Sequence, residues 1–276
     1  MAITTIAQLN SGLVTPYRYI KQQTVTPVIG TWYSLWTYGG MPGGGAAPTG
    51  NTKGQYYTNT SPQTGQVWIP GAVAGDTLYL ATLTAQANFP GTLILADRIW
   101  ADSLKVRPDS SGNASQTQIY TGSFYRSSGL AGGDSSGRGI LLAMECYTTM
   151  GATAVTPKAT VINDQGQGDT WTCWTTVPTN AVAGTFVPMY STKHCYGVRS
   201  VSVFHGMTTH TSGTWGLTAF RILGRIGCSF GGLEGSMDAI SAGFPEVFAN
   251  TVPFLIWVAG STSATTIQGR VQWAFG

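Results

Sequence analysis

From residue 55 to the end of the chain, short runs rich in Val, Ile, Thr, Tyr and Trp recur between Gly, Pro, Asn and Ser residues. Runs this short, closed so often by turn residues, specify β-strands rather than helices, and their number specifies a sandwich or barrel. Strands are expected at 66–69, 77–84, 92–100, 117–124, 139–148, 159–163, 171–177, 184–189, 198–205, 214–222, 253–258 and 265–275. Period-two patterning places Trp171 and Cys173 on one face against Thr170 and Thr172. The same reading sets Val198, Ser200 and Ser202 against Arg199, Val201 and Val203. Helix is expected only at 6–9 (one turn), at 233–240, and at 245–250 with Pro245 in its first turn. The Ser/Gly-rich stretches 108–115 and 127–137 read as exposed loops. No fixed-period repeat is present, which argues against propellers and solenoids.

The first 54 residues have a different texture. An aromatic cluster, Trp32, Tyr33, Trp36 and Tyr38, leads into Gly39-Gly40-Met41-Pro42-Gly43-Gly44-Gly45. Adjacent glycines after a proline oppose continued helix or strand. The expected organisation is an extended arm and Gly-rich joint at 1–54, followed by a β-sandwich or jelly-roll-like body at 55–276. The arm would order against the rest of the chain or against a neighbouring subunit.

Composition then narrows function. Charged residues are 9% of the 276-residue chain, against about 25% in an average domain. The 9 Trp, 12 Tyr and 10 Phe exclude a disordered chain. A net charge of +3 supplies no basic stripe, so nucleic acid is not an expected partner. No window reaches the roughly 18 apolar residues of a membrane span, and residues 1–10 lack the pattern of a secretory signal. Synthesis in a reducing cytoplasm is the expectation. Cys146, Cys173, Cys195 and Cys228 show no paired spacing, so they read as mostly buried thiols rather than a disulfide or zinc framework.

Motifs that carry chemistry are sparse. Gly133-Asp134-Ser135-Ser136-Gly137 matches G-x-S-x-G, but a nucleophile elbow needs a strand before it and a helix after it. Neither is expected here, so a loop is the better reading and a serine hydrolase at Ser135 the rival. His194, His205, His210 and the cysteines lack metal-ligand spacing. The segment 163–169 lacks the acidic ligands of a calcium loop and reads as a Gly-rich turn. Gly231-Gly232-Leu233-Glu234-Gly235-Ser236 lacks the phosphate-loop lysine. No catalytic residue, metal, cofactor or small-molecule substrate is therefore expected.

Asp97-Arg98 lies inside an apolar run. Neighbours on a strand face opposite sides, so each must find its own partner. Both, with Arg199 and Arg221, are expected to be structural anchors. Trp32, Tyr33, Trp36, Tyr38, Tyr56 and Tyr57 are candidate interface residues, with core packing and a glycan platform as alternatives.

Six segments carry a family resemblance: GTLILADRIW (91–100), GILLAMECY (139–147), ATVIN (159–163), VAGTFVP (182–188), GVRSVSVF (197–204) and SGTWGLTAFRIL (212–223). In this order, over about residues 77–223, the chain resembles a group of tailed-bacteriophage virion structural proteins. In that group an apolar strand ending in Asp-Arg is followed by a strand carrying a Glu. The resemblance implies a non-enzymatic structural protein of the virion, foremost a head decoration or cement protein that bridges capsid subunits. Its partners would be itself, as a homo-oligomer such as a trimer, and other virion proteins such as the major capsid protein. A tail, collar or baseplate component is the nearest alternative, then a receptor- or glycan-binding β-sandwich. A major shell subunit fits less well, because the long helix and mixed α/β body of such subunits are missing from the pattern.

Overall fold

The computed structural model describes residues 6–48, 54–60, 63–71, 73–102, 105–106, 115–116, 124, 135–154, 156–191, 193, 195–205, 212–229, 231–241, 243, 245–248 and 250–276. The fold is all-β. In chain order the elements begin with helix α1 (Ile6–Ser11), β1 (Tyr17–Gln23), β2 (Trp32–Ser34), β3 (Gly40–Met41), β4 (Gln55–Tyr56) and β5 (Leu78–Ala87). There follow β6 (Gly91–Ala101), β7 (Lys105–Val106), β8 (Ser115–Gln116), β9 (Leu141–Cys146), β10 (Lys158–Asn163), β11 (Gly168–Cys173) and β12 (Thr185–Ser191). The chain ends with β13 (Val198–His205), β14 (Thr214–Cys228), β15 (Glu234–Asp238), β16 (Glu246–Val247), β17 (Pro253–Ala259) and β18 (Thr265–Phe275). Two compact units result: Met1–Ala46, Thr58–Asp97 and Ile222–Gly276 form the first, Ala47–Tyr57 and Arg98–Arg221 the second.

The first unit is sandwich-like. One sheet runs β15-β5-β18-β1-β3, with β16 also on β5; another ladder runs β2-β17-β6. The alternation of β1, Tyr19, Lys21 and Gln23 inward against exposed Arg18, Ile20 and Gln22, shows which sheet face is covered. Inward from the same sheet come Leu83, Ala85, Ile267, Val271 and Trp273, all sealed. β17 is buried almost throughout, and Trp36 sets its edge on Phe254 at 6.3 Å. Helix α1 lays Leu9 over Ala81, Ala274 and Tyr79. Residues 17–46 therefore order against their own chain: β1 pairs over its full length with β18, from Tyr17↔Val271 to Gln23↔Thr265.

The second unit winds one antiparallel series, β14-β9-β12-β11-β10-β13-β8, with β4 on β6 and β7 on β14. Alternate residues of successive strands meet in one cluster: Leu142, Met144 and Cys146 of β9, Val161 of β10, Trp171 and Cys173 of β11, Met189 of β12, Trp215 and Leu217 of β14. A flat sheet of that many strands at about 4.8 Å spacing would hold its ends far apart. Sharing one core requires it to curl, as sandwiches and barrels do.

Several expectations are corrected. Residues 233–240 and the described residues of 245–250 form no helix; they supply β15 and β16, both paired with β5. Leu233, Met237 and Ile240 have helical spacing, but the ladder to β5 satisfies the backbone instead. No strand forms at 66–69, where Val67 donates a single backbone bond to Pro253. The glycine run holds a two-residue strand, β3, on β1. Gly40 is needed there: its φ is +127° and a Cβ would strike the Ile20 carbonyl. In β13 strict alternation fails. Register shifts opposite β10 bring both Val198 and Val201 into the core. The expected strand at 117–124 lies outside the described residues apart from Phe124. So do residues 108–114 and 127–134 of the expected loops. The turn at 6–9 is helical, and Trp171 and Cys173 are buried while Thr170 and Thr172 face outward, as patterning indicated.

Candidate functional site

A buried ion pair lies inside the second unit. Glu145 stands mid-ladder on β9, opposite Phe186 of β12 and Gly216 of β14, on the face away from the shared core. Its Oε2 is 2.8 Å from Arg98 Nη1 and accepts the Thr218 hydroxyl at 2.6 Å and the Tyr147 hydroxyl at 3.4 Å. Arg98 Nη2 also donates to the Tyr147 oxygen at 3.4 Å, and its guanidinium lies 5.0 Å over the Tyr57 ring. The pair is sealed, with side-chain exposures of 0% and 1%. Burial works against the charged guanidinium, but Glu145 more than offsets it and holds Arg98 charged. Burial first, then the Glu145 charge, pushes the Tyr147 phenol well above its ordinary value. Phe186 and Phe220 meet edge to face at 5.1 Å on the same side of these strands. A charge pair closed off in this way presents nothing to a substrate and acts as a clamp across three strands.

The other expected anchors are placed individually. Asp97 is fully buried; its Oδ1 accepts the Val252 N–H at 2.9 Å and its Oδ2 the Thr251 hydroxyl at 3.3 Å. Asp97 and Arg98 thus face opposite sides of β6 and serve different neighbours. Arg199 donates from Nε to the Ser135 carbonyl at 3.1 Å. Arg221 is buried at 6% exposure within β14. Ser135 is followed by a bridge, Arg138↔Gly197, and then by strand β9, with no helix.

The six aromatic candidates fall into two places. Tyr33, Trp36 and Tyr38 are buried and Trp32 half-buried in the first unit. Trp36 donates its indole N–H to Ala46 at 2.9 Å, and the Tyr33 oxygen accepts the Val28 N–H at 2.8 Å. Tyr57 is buried and Tyr56 half-buried in the second unit, where Tyr56 packs on the common core. Among the described residues the strongly exposed rings are others: Trp174 at 65% and Tyr196 at 71%, with Tyr190 and Trp68 about half exposed. Trp174 was legible from parity, since inward Trp171 and Cys173 turn the next even position outward.

Asp169 is a second polar centre. It accepts the Thr170 N–H at 2.7 Å, the Trp171 indole N–H at 3.2 Å, the Ser191 hydroxyl and, at 3.7 Å, the Cys195 thiol. The 163–169 segment is the β10–β11 hairpin turn, where Asn163 Oδ1 accepts the Gln165 and Gln167 N–H groups at 3.0 and 2.9 Å. Cys146, Cys173 and Cys228 are buried, and burial raises all three thiols; Cys195 is partly exposed. Among the described residues no group of His, Cys, Asp and Glu is arranged to hold a metal ion. His194 and His210 lie outside them. No helix among the described residues is long and apolar enough to cross a membrane.

No protein-family model matches the sequence. No curated protein matches it. Among solved structures, the VP2 subviral particle of infectious bursal disease virus aligns over 96% of this chain and 81% of that one, at 9% identity and a TM-score of 0.20. The T=1 particles derived from the same virus align over 95% and 78%, at 8% identity and a TM-score of 0.21. Likenesses at that level bear on neither fold nor function.

Proposed function

We propose that this chain is a non-enzymatic structural subunit of a virus particle, foremost a decoration or cement protein of a tailed-bacteriophage head. The observation that carries the reading is where charge and apolar surface lie. Arg98, Glu145, Asp97 and Asp169 are bound up in internal hydrogen bonds, in a chain with only 11 acidic residues. Meanwhile Trp174, Tyr196, Leu233, Ile29 and Ile240 each expose 60% or more of their surface. An isolated soluble domain would carry about 25–35% charged residues on its surface. A subunit that meets neighbours over large areas does not need them. The sequence resemblance over about 77–223 supports the same reading.

The mechanism is mechanical. Each copy adds contact area that must be broken before a shell opens, and the gain per copy is multiplied around the particle by linkage of binding to stability. The test is density-gradient sedimentation of particles from the source culture, with antibody against this chain. The expected result is co-sedimentation at many copies per particle. Recovery only in the soluble fraction overturns the reading.

One observation favours a second reading, a glycan-binding module. Trp174 and Tyr190 share an outward face, with Tyr190 directly opposite Thr172 and the Trp174 N–H bonded to the Pro188 carbonyl at 2.8 Å. Two exposed rings beside threonine hydroxyls suit a sugar face. Glycan-array binding lost in Trp174→Ala would establish it.

A further inference from the structure

The outward face of the β15-β5-β18-β1-β3 sheet carries its charges in an unusual order. Pairing sets Arg18 directly opposite Arg270 across β1 and β18. Like charges directly opposite on an antiparallel pair repel. Both guanidiniums are exposed, and neither makes an ion pair or side-chain hydrogen bond with any described residue. At the far edge, β15 exposes Glu234 and Asp238. Between the arginine pair and β15, strand β5 presents the neutral Thr82, Thr84 and Gln86, and Gln268 and Gln272 flank Arg270 on β18. Gln268 donates to Gln86 at 2.9 Å, which ties β18 to β5 across the face. A shallow groove of about 460 Å³, lined by Arg18, Ile20, Met41, Gln86, Glu234 and Arg270 among others, crosses the face.

We infer that this face docks against the same face of a second copy of the chain. The pairing register makes the surface self-complementary. Arg18 and Arg270 share a row with Thr84 and Ser236, while Glu234 lies one row to one side and Asp238 one row to the other. A two-fold axis along the strands, midway between β5 and β18, superposes β15 on β1 and keeps each row in place. Arg18 of one copy then lies over Ser236 of the other, with Glu234 and Asp238 each about 7 Å away along the strand. That is within an arginine's reach. The arrangement is isologous: Arg18 of each copy meets the acidic edge of its mate, while Arg270 lies over Thr84 one strand further in, and the repulsion within each copy is eased. Ile20 and Met41, each about two-fifths exposed, add an apolar flank beside the arginines. Helix α1 packs at the other end of the sheet; four strands about 4.8 Å apart, open over about seven residues at about 3.3 Å each, amount to roughly 500 Å² per copy, about 1,000 Å² for the pair, at the low end for a specific contact. The contact is therefore weak in solution and salt-sensitive, as suits a repeated contact in an assembly. The inference rests on the assembly reading above, but particle co-sedimentation does not depend on this face, so the two can fail separately.

The experiment is sedimentation velocity on the full chain, with a charge-swap pair: Arg18→Glu/Arg270→Glu and Glu234→Arg/Asp238→Arg. All four residues are exposed, and circular dichroism checks that each variant folds. Wild type should dimerise at about 50 mM salt, with affinity at least tenfold weaker at about 500 mM. Each variant alone, with an all-acidic or all-basic face, should be monomeric, and an equimolar mixture should recover the dimer. A mixture that stays monomeric, or variants that associate as wild type does, overturns the inference. Loss of association in the arginine variant alone also overturns it, because the arginines would then take an acidic partner other than this face.

Discussion

At the residue scale, stability hangs on a few buried polar groups. Removing one partner of a sealed ion pair leaves an uncompensated charge, which costs about 3–5 kcal/mol. Glu145→Gln should therefore lower stability by about that much in urea or thermal unfolding, because Arg98 would lose its counter-charge and Thr218 its strongest acceptor. Arg98→Met/Glu145→Met should recover most of the loss. A Glu145→Gln variant within about 1 kcal/mol of wild type would mean that the clamp is not what joins these strands. Lys21 gives a pH signature. Its side chain is 1% exposed and donates to the Tyr38 and Gly43 carbonyls at 2.8 and 3.2 Å, and burial lowers its pKa to about 8. The folded amine releases its proton near pH 8 and the unfolded one near 10.4. In that window the unfolded chain binds more protons, so this group's contribution to stability rises with pH. Wild type minus Lys21→Met should grow more favourable by up to about 3 kcal/mol between about pH 7.5 and 10.5, read by urea denaturation at each pH. The comparison cancels the opposing effect of the buried tyrosines and thiols, whose raised pKa values remove stability as pH rises.

At the element scale, the β10–β11 hairpin depends on Asn163, whose one side-chain oxygen closes the turn on two backbone N–H groups. Asn163→Ala should destabilise by about 1–2 kcal/mol and speed hydrogen exchange at Gln165 and Gln167. Unchanged exchange would show that Gly166, at φ +77°, sets the turn unaided. Which elements the sequence revealed follows from the same chemistry. β6, β9, β17 and β18 were legible because apolar and β-branched residues fill them. β1 was not: its outward Arg18 and Gln22 are polar, and so are inward Lys21 and Gln23, so no apolar alternation marks it. β15 was misread because Leu233, Met237 and Ile240 fall at helical spacing, whereas pairing with β5 settles the matter through contacts about 150 residues apart in sequence. The clamp was half legible. Parity separates Asp97 from Arg98, but only folding brings Glu145 to Arg98 and Thr251 to Asp97.

At the scale of the whole molecule, the core and the surface make different demands. In the interior both units close around sealed side chains, with Arg98 held by Glu145 and Lys21 and Asp97 held by hydrogen bonds. The surface is sparse in charge and carries large apolar groups in the open. Trp174 and Tyr196 bury little against their own chain, so replacing them should hardly touch folding. Trp174→Ser/Tyr196→Ser should shift unfolding free energy by no more than about 0.5 kcal/mol per site. It should raise the concentration at which the chain stays monodisperse in light scattering, because exposed apolar groups drive non-specific association. A large drop in melting temperature would instead assign these rings to the fold. An unchanged solubility limit would place the association surface elsewhere on the chain, with the Arg18 and Arg270 sheet face as the next surface to vary.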